Sequence, residues 1–549
     1  MTMAEDELDA KLRDAWRSVL KIDKIDDGAN FFMLGGTSIG LARVLAGVRP
    51  PQADRPSVVE FLSAPTYHDQ LSRLREAWSV TPPVAAPSPS AASGVTRNQR
   101  NRLTRVSQRI IEGHPHVALS IPVCFAIDGP IDADALAGAL RDTVERHGAL
   151  RAAFLDRAAQ PCYDERPLPP DWAPVIYDRR SLPPAEAIAL IEQAAREVPY
   201  AVIDLREPPL LHAEIHLHRS GGAVLLAFDH IAFDEVSTVV FVRDLVEAYG
   251  ARLTGSPVRL PAVPVRAQDI LVERERRRGE KLDQLLAAWD EALAGYPNAP
   301  TFDLIDDDSD FSPPAPARVD RIVAGDLSGR LDGLRRQLGA TDHTLLSALI
   351  YLALHRSTGR SDICLVTTAA MRDFEQADDV VGNFVELIIV RVEDVFGGTP
   401  CRAPLADVIR HVQRSIWRSH NLNVPFHDLL QRTQGLVNGR TPLRPWVFFN
   451  HTDDPLEKAE LGQASFRWLL QPATATTSFP GLGMHSKTRA DGAGEIAVTS
   501  VVDRYPPGTL DRFLEQLGLM LRDDHDPDQP LVRSAGAPWC GCAPAPVTS

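Results

Sequence analysis

The sequence has few cysteines, no long apolar run and no recognisable targeting segment. Its six cysteines are scattered along 549 residues, which is not the dense framework of a small secreted protein. Only Cys540 and Cys542 are close together, and two cysteines alone cannot supply the four ligands of a tetrahedral zinc site. No stretch reaches the roughly 18 consecutive apolar residues of a transmembrane helix, and the N-terminus does not resemble a signal peptide. The sequence therefore predicts a reduced, cytoplasmic protein without a membrane span or a metal site.

Positive charge is also in short supply. The chain has 58 Lys and Arg against 73 Asp and Glu, which gives a formal net charge of −15. Because nucleic-acid-binding proteins usually present a basic face, we expect no nucleic-acid partner. The remaining composition, 44% apolar and 24% charged, is that of an ordinary globular protein. A chain of 549 residues is long enough for roughly three or four domain-sized units.

Proline, in contrast, is abundant, with 44 residues, and some of these prolines mark a domain boundary. Residues 77–96 contain no charged side chain, and their centre reads TPPVAAPSPSAASG. Such a segment cannot bury a core and predicts a semi-extended tether. Upstream, apolar residues at four-residue spacing in 6–20 predict an amphipathic helix, the first of a small bundle. We therefore expect a helical domain over 1–78 and a Pro/Ala/Ser linker over 79–96.

Helical and strand patterns alternate after the linker, which predicts a mixed α/β fold. The predicted helices and strands are helices 132–147, 236–249 and 282–294 and strands 224–228, 387–390 and 446–449. The basic run 274–278 is interpreted as an exposed helix face. We expect one lobe over 97–265, a second over 266–525, and a disordered tail over 526–549.

A serine in a Gly-rich turn is the first candidate site. Residues 30–41 read NFFMLGGTSIGL, so Ser38 follows two glycines and precedes an apolar helical run. The free N–H groups at a helix N-terminus stabilise an attached phosphate. A plain helix cap has the same local sequence. Gly36–Gly40 also satisfies the G-x-S-x-G of a hydrolase elbow, but that elbow follows several strands, and the residues before Ser38 look helical.

The second candidate site is 229–235, with the sequence DHIAFDE. A predicted strand leads into it and a predicted helix follows, so its side chains can project into a cleft. His230 is a candidate general base, because imidazole titrates near neutral pH. Asp234 is a candidate helix cap or a partner for a cation. For this motif alone, a core histidine near a capping aspartate is the favoured interpretation.

The motif 31–38, with Trp16 upstream and Ala-Pro-Thr at 64–66 downstream, resembles the peptidyl carrier proteins of nonribosomal peptide synthesis. The resemblance covers most of residues 5–77 and implies a small all-α four-helix bundle. It also implies that Ser38 carries 4′-phosphopantetheine, whose thiol holds an aminoacyl group as a thioester. The partners implied are a phosphopantetheinyl transferase and an adenylation enzyme that acts in trans.

The rest of the chain resembles the condensation domains of nonribosomal peptide synthetases, in the chloramphenicol-acetyltransferase-like superfamily. The segments that carry this resemblance occur in the family's order and are 103–108, 146–154, 203–205, 209–211, 229–235, 289–295, 379–384 and 424–426. The resemblance implies two α/β lobes arranged in a V, with a tunnel that a carrier arm enters from each face. His230 matches the second histidine of the family's H-H-x-x-x-D-G and would orient or deprotonate the acceptor amine. Asp234 would be structural, held by Arg372.

Three residues depart from the family pattern. Asp229 replaces the first histidine, Glu235 replaces the glycine, and Glu386 stands where asparagine is usual. A glutamate in place of the small glycine predicts obstruction of a carrier arm and a preference for a diffusible cationic amine, with Asp229 and Glu386 reinforcing the negative charge. An outward-facing Glu235 that caps helix 236–249 is the alternative.

The resemblance as a whole implies an acyltransferase that forms amide bonds in antibiotic biosynthesis, as a stand-alone carrier–condensation protein. The acceptor would be another carrier protein or a diffusible amine. Asp229, Asp234 and Ser237 also satisfy the D-x4-D-x2-S motif of heterocyclization domains, which form thiazoline or oxazoline rings. The retained His230 and the pair 385–386 favour plain condensation. A docking module that has lost catalysis is the third hypothesis.

Overall fold

The architecture is that of a computed structural model, which describes most of the chain. The residues that it describes are 5–20, 22–34, 36, 41, 44–45, 48, 61, 64–79, 94–111, 120–157, 160–263, 265–296, 302, 315–372, 377–426, 428–430, 432, 447–452, 459–461, 464–468, 476–477, 481–488 and 492–530. Ser38, most of the predicted linker and residues 531–549 lie outside this set.

The elements alternate along the chain as the sequence predicts. The helices of the described residues are α1 (Glu5–Leu20), α2 (Tyr67–Ser79), α3 (Arg97–Ile111), α4 (Ala133–Arg146), α5 (Pro184–Glu197), α6 (Glu235–Leu253), α7 (Ala267–Ala292), α8 (Leu327–Leu338), α9 (Asp342–Thr358), α10 (Leu405–Asn421) and α11 (Thr509–Arg522). The strands are β1 (Ser120–Asp128), β2 (Ala152–Arg157), β3 (Gln160–Glu165), β4 (Val175–Asp178), β5 (Leu211–His218), β6 (Gly221–Asp229), β7 (Ala315–Ala324), β8 (Ile363–Ala370), β9 (Val385–Val392), β10 (Val447–Thr452), β11 (Ala459–Leu461), β12 (Ala464–Trp468), β13 (Thr476–Thr477), β14 (Leu482–Thr488) and β15 (Gly494–Val501).

The N-terminal region is helical, as predicted. Its core joins α1 to α2 and to the loop after α1, and the buried residues are Leu8, Leu12, Trp16, Ile25, Phe31, Phe32, Leu41, Val44, Leu45, Val48, Phe61, Tyr67, Leu71 and Leu74. Trp16 lies at the centre: its ring is 5.1 Å from that of Phe31, and its Nε1 donates a hydrogen bond of 2.9 Å to Gln70 Oε1. A buried indole N–H needs such a partner, so this bond fixes α2 against α1.

The first sheet has six strands in the order β11-β12-β1-β6-β5-β4. Strand β6 is central and buried at every position, because α4 and α6 cover one face of the sheet and α5 covers the other. Leu140, Phe228, Phe241 and Leu245 belong to the core under α4 and α6. Since β6 ends at Asp229, this packing holds the residues that follow at the edge of a rigid sheet.

The second sheet has seven strands in the order β13-β7-β15-β14-β10-β8-β9. Helices α8 to α11 supply the helical part of its core. Helix α9 is buried at every position from Thr344 to His355, and a helix that is apolar on all sides is one that other elements surround.

The two sheets are tied together by a crossing of the chain. Strands β11 and β12 follow β10 of the second sheet, yet β12 pairs antiparallel with β1 of the first sheet, with Phe125 opposite Trp468. The lobes are therefore not two independent halves of the sequence. The boundary at 265–266 stays a prediction, whereas the sharing of strands could not be predicted from local patterns.

Several element boundaries differ from the prediction. Helix α7 begins at Ala267 instead of 282, because the charged stretch before 282 is helical too. Strand β10 continues to Thr452, and Trp446 lies outside the described residues. The predicted disordered tail begins too early: Ala406 N donates to Pro527 O at 2.8 Å and Leu405 N to Gln529 O at 3.2 Å. These bonds satisfy N–H groups of the first turn of α10, which otherwise have no helical partner.

Two structural findings, limited to the described part of the chain, bear on membrane spans and metal sites. No helix there is long and apolar enough to cross a membrane, and no group of three or more His, Cys, Asp or Glu could hold a metal ion. The four cysteines within the described ranges are buried and form no disulfide, and they are Cys124, Cys162, Cys364 and Cys401. Cys540 and Cys542 lie outside the described residues.

Candidate active site

His230 lies at the junction between β6 and α6. Its Nδ1 is 2.8 Å from the carbonyl oxygen of Phe233. Because a carbonyl oxygen can only accept a hydrogen bond, this contact assigns the ring proton of the neutral imidazole to Nδ1. The Nε2 atom then carries no proton and has an available lone pair. Burial, together with the positive charge of Arg102, lowers the pKa of His230. The histidine is thus held neutral, with one nitrogen able to accept a proton.

Asp234 is the N-cap of α6 and the centre of a buried network. Its Oδ1 accepts from Ser237 N at 2.7 Å and pairs with Arg372 Nη2 at 2.7 Å, while its Oδ2 accepts from Phe384 N at 3.0 Å. The contact with Arg372 that the family resemblance implies is present. Both carboxylate oxygens of Asp234 are therefore engaged by groups of the protein itself.

Asp229 pairs with Arg102 on α3. Arg102 Nη2 is 3.1 Å from both carboxylate oxygens, and Asp229 Oδ1 also accepts from Ile231 N at 2.8 Å. Both partners are largely buried. The charge of Asp229 is therefore balanced within the protein.

Glu386 is balanced in the same way. Its Oε1 is 3.1 Å from Arg274 Nη2 and 3.1 Å from Arg278 Nη1, and its Oε2 accepts from Asn98 Nδ2 at 2.9 Å. Burial alone would raise the pKa of Glu386, but the two arginines lower it overall, so the carboxylate is charged. The expectation that Asp229 and Glu386 form a negative site is wrong, because arginines neutralise both.

These arginines were not predicted as site residues, and the run 274–278 was only partly an exposed face. The side chains of Arg274 and Arg278 are 9% and 11% exposed, whereas that of Arg276 is 57% exposed. Residues four apart share a helix face, so the i, i+4 pair points inward together. The signal for them lay in the departures at Asp229 and Glu386, since a buried carboxylate where the family is neutral requires a new cation.

Glu235 lies on another side of the site. Its carboxylate accepts hydrogen bonds from the Asn450 and Thr452 side chains of β10. Glu235 is exposed to solvent, yet desolvation by the neighbouring protein groups raises its pKa, and the nearby Lys487 opposes that rise. The alternative of an outward-facing Glu235 that caps the helix is correct about the exposure of the residue and wrong about the cap, because Asp234 is the N-cap.

A cavity of about 480 Å³ adjoins His230. Its walls come from the start of α3, the middle of α7 and the strands β8 to β10, and its polar lining includes Ser120, Thr368, Asn383, Arg274 and Arg278. Phe448 lines the cavity, but Thr452, which bonds Glu235, lies four residues further along β10, about 13 Å at a strand's rise. Glu235 is not part of the lining. The site thus combines a neutral imidazole with a cavity of small-molecule size whose lining is part polar and part apolar.

We expect Arg102→Gln to move the acid limb of any reaction that uses His230 to higher pH. The neutral imidazole is lost as the pH falls through the His230 pKa, and in the wild type that pKa lies below its ordinary value near 6.5. Removing Arg102 leaves Asp229 unpaired, which stabilises the imidazolium, so the limb should rise by on the order of one pH unit. Single-turnover rates against pH for both proteins measure the shift, and coincident profiles would contradict it.

The family model of the condensation domain matches residues 111–471. The chain belongs to the condensation-domain family. A second family model, the phosphopantetheine attachment site, matches residues 10–49. The chain therefore combines a carrier region, whose cofactor is covalently attached 4′-phosphopantetheine, with a condensation domain of the kind found in nonribosomal peptide synthetases.

Relatives and solved structures agree with this assignment. The chain is 27% identical over 440 residues to phosphinothricin tripeptide synthetase PhsB of Streptomyces viridochromogenes, across 78% of this chain and 36% of that protein. It is 24% identical over 477 residues to tyrocidine synthase 2 of Brevibacillus parabrevis, across 84% of this chain and 12% of that protein. The chain thus spans about a third or less of these relatives' length.

Two solved structures share the fold. The first condensation domain of the calcium-dependent antibiotic synthetase has a TM-score of 0.61 at 18% identity, over 80% of this chain and 98% of that one. The epimerization domain from the third module of tyrocidine synthetase B has a TM-score of 0.63 at 17% identity, over the same shares. Because domains with different reactions share it, the fold alone does not identify the chemistry of this condensation domain.

The carrier region fits an attachment site as far as it is described. Ser38 lies outside the described residues, but the loop that leads to it is tight: Gly36 N donates to Phe31 O at 2.9 Å. A Cβ on Gly36 would lie 2.7 Å from that oxygen and would clash with the Phe31 ring, so only glycine fits. Met33 and Leu34 are exposed beside this turn. The loop is thereby pinned to the core two residues before Ser38.

Proposed function

We propose that this protein forms an amide bond by transferring an acyl group from a thioester on Ser38 to an amine in the cavity beside His230. The observation that carries the proposal is the state of His230, which is neutral, bonded through Nδ1 to the Phe233 carbonyl, and part of the wall of the cavity. A neutral imidazole in that position can take a proton from an attacking amine.

The phosphopantetheine, when bound to Ser38, supplies the thiol that carries the acyl group. His230 then accepts a proton from the amine nitrogen as the new C–N bond replaces the C–S bond, and the proton passes on to the departing sulfur. No oxidant or reductant is needed. Holding two reactants together supplies much of the acceleration, since thioesters are already activated. Asp234 and Arg372 keep the histidine loop in place and do not touch the reactants.

Heterocyclization has less support. Its motif residues Asp229, Asp234 and Ser237 all occur, but each is engaged within the protein: Asp229 with Arg102, and the other two with Arg372 and the Gly382 backbone. None of the three lines the cavity. The hypothesis of a docking module without catalysis does not explain a neutral histidine in the wall of a cavity of this size. We therefore favour a catalytic domain over a docking module.

The partners remain proposals. A phosphopantetheinyl transferase would attach the cofactor, and an adenylation enzyme in trans would load the amino acid. The acceptor is an amine on another carrier or in solution. A preference for a cationic amine loses the support of Asp229 and Glu386, which arginines neutralise, and Glu235 faces Lys487. Antibiotic biosynthesis and a cytoplasmic location stay predictions from the sequence.

Modification of Ser38 is the first test. Incubation with coenzyme A and a phosphopantetheinyl transferase should add the mass of one phosphopantetheine to the wild type and nothing to Ser38→Ala. Ser18→Ala, which removes an exposed hydroxyl from α1, is the matched control and should be modified like the wild type. Intact-protein mass spectrometry measures the gain. Modification that survives in Ser38→Ala would contradict the assignment.

A further inference from the structure

The α7 side of the cavity carries an excess of positive charge around Glu386. Two arginines of α7, Arg274 and Arg278, contact the same oxygen of this one carboxylate. Arg274 also donates to the carbonyls of Met371 at 2.8 Å and Phe384 at 3.2 Å. It is thus a structural cation that Glu386 and two carbonyl dipoles stabilise together.

The other arginines that line the cavity have carboxylates of their own. Arg102 pairs with Asp229, and Arg97 pairs with Asp428. Glu275, the remaining acid in the lining, lies 3.7 Å from Arg100, an arginine outside the cavity. Among the described residues none of these acids is within ion-pair distance of Arg278.

Arg278 is therefore the cation that the protein leaves only partly compensated. Its side chain is 11% exposed, and it reaches Glu386 through Nη1 alone. A guanidinium presents its N–H groups in a planar fork that fits a carboxylate or phosphate with two bonds. A largely buried arginine that shares its carboxylate with a second arginine attracts a further anion.

We propose that Arg278 binds an anionic group of the acceptor, namely the carboxylate of a diffusible amino acid whose amine lies at His230. This inference rests on the proposed function and specifies its acceptor. Both residues line the same cavity of about 480 Å³, which is large enough for a free amino acid. An acceptor bound to a carrier has its α-carboxyl in a thioester, so in place of that carboxylate its arm offers the phosphate as an anion.

Binding to the phosphopantetheinylated full-length protein tests the inference without turnover. The probes are glycine, alanine and lysine, each as the free acid and as its primary amide, measured by calorimetric titration. At least one acid should bind about tenfold or more tightly than its amide, as expected for a charge-assisted hydrogen bond. Arg278→Gln should reduce that ratio to about one, and Arg278→Lys should retain part of it.

Arg276→Gln is the matched control, because Arg276 lies on the exposed face of the same helix and pairs with Glu273. It should leave the preference for the acid unchanged. Equal binding of every acid and its amide by the wild type would overturn the proposal, as would a preference that survives Arg278→Gln. Circular dichroism and thermal unfolding verify that each variant is folded.

A second pair of probes separates the two sources of an anion. The first probe is 4′-phosphopantetheine and the second is pantetheine, which lacks the phosphate. If the first bound more tightly, only when Arg278 is present, and if acids bound no better than amides, the anion at Arg278 would be a carrier's phosphate. That result would overturn the carboxylate assignment. Arg278-dependent binding of an acid, without transfer of an acyl group to any amine, would support the anion site and contradict the amide-forming function.

Discussion

Replacing His230 with alanine is expected to slow acyl transfer from the loaded protein to its amine acceptor by about 10²- to 10⁴-fold. The alanine removes the group that accepts the amine proton, while Ser38 and the cavity remain. Loading of the carrier should be unaffected, because it takes place in the other domain. Single-turnover kinetics, with the acyl group followed by intact-protein mass spectrometry, measure the loss.

His218 provides the matched control for this variant. It lies on β5 of the same sheet, outside the cavity, and contacts Ser220 at the end of the strand. His218→Ala should transfer at the wild-type rate. A His230→Ala protein that is folded, loads normally and transfers within a factor of two of the wild type would exclude the histidine from the chemistry.

Replacing Arg372 with methionine is expected to lower the free energy of unfolding by about 3–5 kcal/mol. The substitution keeps a long side chain but leaves the Asp234 carboxylate buried without its cation. It also removes the hydrogen bonds from Arg372 Nη1 to the carbonyls of Ala377 and Val380 and the stacking of the guanidinium over Phe384. Urea denaturation followed by circular dichroism measures the change.

An exposed ion pair calibrates this value. Arg206 pairs with Asp204 on the surface at 2.6 Å, with the two side chains 75% and 48% exposed. Arg206→Met should cost no more than about 1 kcal/mol, because water screens the pair and already solvates both groups. If Arg372→Met were as mild as Arg206→Met, Asp234 would not depend on Arg372, and the structural role assigned to that pair would be wrong.

Much of the fold was predictable because it depends on local pattern. Burial determines the continuous apolar run of β6 and the periodic apolar face of α4. Both patterns can be read directly from the local sequence of the element. The pairing of β12 with β1 was not predictable, since it joins segments more than three hundred residues apart. Helix α7 was predicted too short because its first half is dense in charge, and charge alone does not reveal which arginines point inward.

The candidate site was predictable only in part, for a similar reason. His230, Asp234 and Arg372 follow from the family motif, and the contact between the last two is present. The charges of Asp229 and Glu386 were visible, but their compensation by Arg102, Arg274 and Arg278 depends on elements brought together by the tertiary fold. The sequence shows the sign of each charged side chain. The effect of that charge on a ligand depends on the charged partners that the tertiary fold places beside it.

The most direct test of the central claim is the mass of the loaded protein before and after an amine is added. The phosphopantetheinyl transferase can load Ser38 from a panel of aminoacyl-coenzyme A donors. Candidate amine acceptors are then added to the loaded protein. We predict that the acyl group leaves the wild-type protein and appears in an amide, while His230→Ala retains it. A product lighter by one further water would indicate heterocyclization instead. An acyl group that stays on the wild type with every acceptor, or that leaves His230→Ala equally fast, would contradict the account.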